Sequence, residues 1–268
     1  WLRVSIGRHE VATEPVENKD GLCLWFQTLE IKSNFALPED PEQIPDVMIH
    51  LMAGGDSGAD PFAFLRLRAK DLMDEEFGGK PQWWRMVEDK ALSLIPDGDA
   101  PGAIFARFGF GTVASYEGNR QKWKDYPPEL LKRDQYELRV HLYQARNLPP
   151  ADPNGLMDPY LKIKFARQKM STEAIPKLRR RETVDPIWYH TVQLQAYLPP
   201  IEYQEYFPQL AIHLFDYDAG WIDDVCGHLF LNLHDLKIID AVVPGTAIPP
   251  PPTPKWESFF METPGDGR

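Results

Sequence analysis

Residues 209–231 read QLAIHLFDYDAGWIDDVCGHLFL. The apolar run QLAIHLF and the later VCGHLFL carry the short hydrophobic pattern of two strands, and FDYDAGWIDD lies between them as a loop. Four carboxylates, Asp216, Asp218, Asp223 and Asp224, fall within nine residues there. Like charges so close repel, and the loop also holds Trp221 and Ile222, which are costly to leave in water. Strand, acidic loop and strand in succession predict a β-sheet protein whose loops do the chemistry.

The rest of the chain extends that reading. Short alternating runs recur at 2–6, 22–31, 45–52, 62–67 and 102–110, and again at 136–145, 160–166, 187–197 and 228–233. They are punctuated by Pro, Gly, Asp and Asn, and helical periodicity is weak outside 69–77 and 128–133. The fold class is therefore all-β, with two antiparallel β-sandwiches. Their expected limits are residues 1–113 and 135–268, joined by a polar, charged linker at 114–134. The run VVPGTAIPPPPTPK at 242–255 excludes a central strand or a helix there, since consecutive prolines remove backbone donors.

Composition narrows the function. The chain has 268 residues and a net charge of −11, which argues against a nucleic-acid binder. Residues 1–113 hold 19 acidic and 11 basic side chains, a net of −8, and the remainder hold 21 and 18, a net of −3. Cys23 and Cys226 are far apart in apolar runs and are expected to be buried free thiols, as in a reducing compartment. No apolar run approaches the roughly 18 residues of a membrane span. No His pair at i,i+4 spacing, Cys/His cluster, phosphate loop or nucleophile elbow is present, so zinc chemistry and catalysis are not expected.

A second acidic loop, LPPADPNGLMDPY at 148–160, places Asp152 and Asp158 six residues apart around a turn. Asp216 and Asp218 lie two apart at a strand end, and Asp224 follows six further on. Two such loops at one end of a sandwich converge five carboxylates. A hard divalent cation resolves their repulsion, because Ca²⁺ takes 6–8 oxygen ligands in flexible geometry. Turn-forming aspartates are the plainer alternative for any single pair.

The segments YELRVHLYQARNLPPADPNGLMDPYLKIKF, TVDPIWYHTVQL, FDYDAGWIDDVCGHLFL and KWESFF resemble, in order and spacing, a C2 domain. The phrase LYQARNLPPADPNGLMDPY is similar to a middle C2 domain of the ferlins, and IPDVMIHLM, FAFLRLRAKDLM and DGDAPGAIFARFGFG resemble, more loosely, the end of a preceding ferlin unit. The resemblance implies the circularly permuted (type II) topology, with the first sandwich lacking its N-terminal strand or strands and the second its C-terminal strand. It implies Ca²⁺ as the cofactor, with Asp152, Asp158, Asp216, Asp218 and Asp224 as ligands and the carbonyls of Ala151, Tyr217 and Ile222 as main-chain donors. The first unit offers only Asp56 and Asp60 in the equivalent loop, and is not expected to bind Ca²⁺.

The resemblance further implies a Ca²⁺-dependent, non-enzymatic module that binds anionic phospholipid in membrane fusion, exocytosis or repair. Its parent would be tail-anchored, at the cytoplasmic face of a vesicle or plasma membrane. Two Ca²⁺ would take the second half from −3 to +1, enough to favour anionic headgroups within a Debye length. Leu156, Met157, Trp221 and Ile222 are the expected insertion residues. Lys162, Lys164, Lys177, Arg179, Arg180 and Arg181, with Arg167 and Lys169 nearby, are the expected headgroup or phosphoinositide face. Trp83 and Trp84 are expected in packing. The alternative is a Ca²⁺-independent scaffold for protein–protein or interdomain contacts, with neighbouring domains of the parent chain or fusion-machinery proteins as partners.

Overall fold

The computed structural model describes residues 1–18, 23–31, 38, 40–54, 60–73, 77, 79–88, 102–123, 126–173, 175, 178, 182–218, 223–239 and 250–261. The chain forms two compact units, the first reaching Pro127 and the second beginning at Pro128. The fold is all-β with antiparallel ladders throughout the named sheets.

In the first unit, β1 (Leu2–Ile6), β2 (His9–Ala12), β3 (Val47–Met52), β4 (Pro61–Leu67) and β6 (Val87–Glu88) make one sheet in the order β2-β1-β3-β4-β6. β5 (Gln82–Arg85) pairs with β7 (Ala103–Ala106) in a second. Alternation puts Val47 and Ile49 of β3 with Ala63, Leu65 and Leu67 of β4 into the core, where Met86 and Ile104 join them. Trp84 packs on Phe108 and donates its Nε1–H to the Ala106 carbonyl at 2.9 Å, and Trp83 packs on Phe105. The tryptophan pair is thus packing. Residues 23–31, expected as a strand, form no ladder, and Cys23 is half-buried outside any sheet. Structure begins at the edge of the stretch read as a linker. A helix, α1 (Val113–Asn119), starts there with Thr112 capping Ser115 N–H, and Trp123 donates to the Phe77 carbonyl.

In the second unit, β9 (Pro159–Phe165), β10 (Gln168–Ser171), β12 (Leu210–Asp216) and β13 (Asp224–Leu231) form a sheet ordered β10-β9-β12-β13. β8 (Asp134–Gln144) and β11 (Ile187–Leu198) form a long ribbon facing it. Leu161, Ile163 and Phe165 of β9, with Leu210, Ile212 and Leu214 of β12, meet Trp188, Val192, Leu194, Ala196 and Leu198 of β11 in one core. Burying an aliphatic side chain of this kind contributes roughly 1.5–3 kcal/mol. β10 is a strand the sequence pattern did not suggest, because QKMS is short and polar. Residues 250–261 form no ladder beyond one bridge from Phe260 to His228, and the prolines at 250–252 and 254 remove backbone donors from its first part. Residues 241–249 lie outside those described.

Candidate metal centre

Strand register builds the site. Asp216 ends β12, the strand between β9 and β13, and pairs with Pro159 on one side and Asp224 on the other. The residue before Pro159 is Asp158, so Asp158, Asp216 and Asp224 meet at one end of one sheet. Asp218 lies two residues beyond Asp216 in the loop joining β12 to β13 (217–223), the third in chain order at this end, and Asp152 arrives on the first, which joins β8 to β9 (145–158).

That loop is a set of local hydrogen bonds. The Leu156 carbonyl accepts both the Ala151 and Asp152 N–H groups at 3.0 Å, Asn154 Oδ1 accepts the Leu156 N–H at 2.9 Å, and the Asp152 carbonyl accepts the Gly155 N–H at 3.0 Å. Gly155 has φ +82, which a residue without a Cβ adopts freely. The turn sends the chain straight back inward. Met157 is consequently buried completely in the core, with its carbonyl accepting the Thr183 N–H at 2.8 Å. This corrects the expectation that Met157 inserts into a bilayer. Leu156, at the turn itself, is half-buried.

Asp216 is 2% exposed, and its Oδ1 accepts the Asp158 N–H at 2.5 Å. Asp158 Oδ1 in turn accepts the Glu182 N–H at 2.6 Å, and its carbonyl accepts the Tyr217 N–H at 3.1 Å. Burial pushes the Asp216 carboxyl up to about 6, helped by the charges of Asp152, Asp218 and Asp158 and opposed by the Asp158 N–H. Asp218 is also raised, by desolvation and by Asp224, Asp152, Asp223 and Asp158. The Cys226 thiol, buried in β13, is pushed up to about 12 by burial and by Asp216 and Asp224. Asp216 therefore feels the charges of Asp152, Asp158 and Asp218, and Asp218 feels those of Asp152, Asp158 and Asp224. Such a donor set, all oxygen and all anionic, fits a hard dication. Among the described residues no three His, Cys, Asp or Glu side chains are drawn together closely enough to hold an ion by themselves. The set is a loose cluster.

Asp223, a flanking residue by sequence, proves to be structural. Its Oδ2 accepts the Tyr160 hydroxyl at 2.6 Å and its Oδ1 accepts the Asp218 N–H at 3.1 Å. Tyr160 is buried and stacks on Phe215, with centroids 5.2 Å apart at 19°. Burial and Asp223 push its phenol well above the ordinary tyrosine range, so it stays a donor. Nothing in the spacing of residues 160 and 223 could have revealed this contact.

On the outer face of the β9 strand, Lys162 lies 3.8 Å over the Phe215 ring and opposite His213, and Lys164 stands between Lys169 and Ala211. Arg167 occupies the turn joining β9 to β10, at the opposite end from the aspartates. His213 and His228 are buried on this face with Nδ1 to Nδ1 at 2.7 Å, a pair that the sequence reading missed. The expected Trp221, Ile222, Lys177, Arg179, Arg180, Arg181 and Asp56 lie outside the described residues. No helix among the described residues is long and apolar enough to cross a membrane.

Comparison with known proteins agrees with this architecture. Residues 136–245 match the C2 domain family. The mouse Fer-1-like protein 4 is 27% identical over 195 residues, 65% of this chain and 9% of that protein. Myoferlin of Xenopus tropicalis is 34% identical over 95 residues, 34% of this chain and 5% of that protein. A multiple C2 and transmembrane domain-containing protein of Drosophila melanogaster is 33% identical over 104 residues, 38% of this chain and 10% of its own. The chain thus spans no more than a tenth of these relatives. Among solved structures, a C2 domain of RIM from Drosophila aligns with a TM-score of 0.31 at 21% identity, over 39% of this chain and 79% of that one. The matched stretch identifies residues 136–245 as a C2 domain, and the proteins to which the chain is similar include ferlins.

Proposed function

We propose that the second unit is a Ca²⁺-dependent membrane-binding module of a ferlin-like protein acting in membrane fusion, exocytosis or repair. The observation that carries this reading is Asp216, a fully buried carboxylate raised to about 6 beside four other carboxylates. A dication would repay both its burial and the mutual repulsion. Asp152, Asp158, Asp216, Asp218 and Asp224 would hold the ion, with the carbonyls of Ala151 and Tyr217 and of Ile222 alongside. The ion would supply positive charge that attracts lipid phosphate or carboxylate.

The chain's own residues set the rest. β9 and β12 fix Asp158 and Asp216 from two adjacent strands, and the first loop offers Asp152 with Leu156 at its turn. Trp221 and Ile222, in the third loop, would contribute interfacial apolar contact. Lys162 and Lys164, on the sheet face, would add attraction to anionic headgroups, phosphoinositides included, at about 1 kcal/mol per side chain near the surface. The first unit, with Asp56 and Asp60 alone in its equivalent loop, would serve as a Ca²⁺-independent neighbour, and no catalytic role is assigned to either unit.

The test is co-sedimentation of the whole chain with phosphatidylserine-containing vesicles, with Ca²⁺ and with chelator. Binding that needs Ca²⁺ and is lost in the double variant Asp216→Asn, Asp218→Asn supports the module. Binding indifferent to Ca²⁺ supports the alternative, a Ca²⁺-independent scaffold for protein or interdomain contacts.

A further inference from the structure

At the loop end of the second unit, the ribbon of β8 and β11 leaves large side chains in water. Its register shifts between Ile187 and His190, so Trp188 and Tyr189 together face the single residue Tyr143. Trp188 takes the core side and is buried. Tyr189 takes the other with φ +42, a left-handed backbone that a bulky side chain adopts only at a cost in strain. What the strain achieves is exposure. The Tyr189 ring is 70% exposed and stands edge-on to Tyr143, with centroids 6.3 Å apart at 84°. Ile187 beside it is exposed as well, and Arg146 lies 5.5 Å over the ring of Trp256, itself 64% exposed.

The patch adjoins the first acidic loop. The Pro186 carbonyl accepts the Ala145 N–H at 2.9 Å and the Val184 carbonyl accepts the Leu148 N–H at 3.1 Å, so the ribbon end and the start of that loop are one piece. Asp185, between them, accepts the Asn147 N–H at 2.8 Å. Along the ribbon the apolar surface stops at once. On the same outer face His141 bonds Thr191 at 2.8 Å, and Glu137 accepts from both the Gln195 amide, at 2.8 Å, and the Arg139 guanidinium. The exposed rings therefore occupy only the last two or three residues of each strand, about 7–10 Å at roughly 3.3 Å per residue.

Extent and composition select the occupant. Tyr and Trp have an apolar body and a polar tip, which suits the boundary between water and hydrocarbon, and a guanidinium suits lipid phosphate. An element lying in that boundary enters it by about 5–10 Å, the depth of this patch. A protein docking on the ribbon would need apolar surface along its length, where the closed polar pairs stand.

We propose that Tyr143, Ile187, Tyr189 and Trp256, with Arg146, form a second bilayer contact, which sits at headgroup level when the loop end points into the membrane. The proposal rests on the membrane reading above and adds to it a surface outside the loops that meets the lipid. None of these side chains is an ion's ligand in that reading, so the contact itself needs no cation.

The test is co-sedimentation of the whole chain with vesicles of phosphatidylserine and phosphatidylcholine, in Ca²⁺ and in chelator. It compares wild type, the double variant Tyr189→Asn, Trp256→Ser, and Tyr197→Ser. Asn tolerates a left-handed backbone, so the double variant should keep the wild-type urea midpoint. Tyr197, 67% exposed near the far end of β11, is the matched control. The expected result is vesicle affinity weaker by roughly tenfold or more in the double variant and unchanged in Tyr197→Ser. If the double variant binds as wild type does, the contact is overturned while the Ca²⁺ reading stands. An equal loss in Tyr197→Ser also overturns it, because position then does not matter. Wild-type binding that ignores Ca²⁺ yet falls in the double variant supports this contact and overturns the Ca²⁺ reading alone. A wild type that binds no vesicle in either condition overturns both, and sedimentation velocity of the same proteins then shows whether the patch joins two copies of the chain.

Discussion

The backbone N–H of Asp158 donates to the buried carboxylate of Asp216 at 2.5 Å, tying the first acidic loop to the end of the strand that leads into the third. It favours the charged form of a carboxylate that burial and three neighbouring acids push towards neutrality. The bond fixes geometry, and the charge remains to be balanced.

Asp216 makes the Ca²⁺-free chain sensitive to pH. The folded state holds the Asp216 proton to about 6, against an ordinary value of 3.8, so it binds more protons than the unfolded chain between those values. The contribution of Asp216 is therefore a loss of stability as pH rises from about 4 to about 6, on the order of 3 kcal/mol. Asp216→Asn keeps an acceptor for the Asp158 N–H and removes the charge. It should stabilise the chelated protein at pH 7 and flatten this part of the profile, while weakening Ca²⁺ binding. Urea melts in chelator from pH 4 to pH 7 check the sign.

Met157 should behave as core. Met157→Ala is expected to cost about 2–5 kcal/mol, as truncation of a fully buried side chain does. Its vesicle affinity under conditions where it remains folded should equal wild type. A denaturation midpoint that does not move, or a selective loss of vesicle binding, would contradict the burial.

Lys162 and Lys164 should matter for binding and little for folding. Each is half-buried along its stem, and the double change to Met is expected to alter stability by less than about 1 kcal/mol, chiefly through the lost contact over Phe215. Affinity for vesicles containing phosphoinositide should fall roughly tenfold or more, and the effect should shrink at high salt. Sedimentation at two ionic strengths separates this from a change at the carboxylates.

Gly227 marks where the C-terminal segment closes on β13. A Cβ there would come within 3.1 Å of the Phe259 Cβ, next to the paired backbones of His228 and Phe260. Gly227→Val should displace that segment and cost about 1–3 kcal/mol. Faster hydrogen exchange at the Phe260 amide, with the β9 amides unchanged, is the expected signature.

Much of this was legible in the chain itself. Period-two alternation in YELRVHLYQA, YLKIKFA and QLAIHLFDY identified β8, β9 and β12, because a strand buried on one face must repeat every two residues. The same logic failed for residues 23–31, whose apolar run makes no ladder, and for QKMS, which pairs although it has little apolar content. Pairing depends on a neighbour's edge, and sequence pattern reports only the strand's own faces.

The sequence by itself determined the all-β class, the two acidic loops and the spacing of the five aspartates, since alternation, turn residues and charge are local properties. The tertiary structure decided what those residues become. Register across three strands brought Asp158, Asp216 and Asp224 to one sheet end, and a turn at Gly155 sent Met157 into the core. A stack of Tyr160 on Phe215 aimed a hydroxyl at Asp223, 63 residues away. Contacts of that range are set by which strands pair in a sheet and in what register, and that pairing is a property of the whole chain.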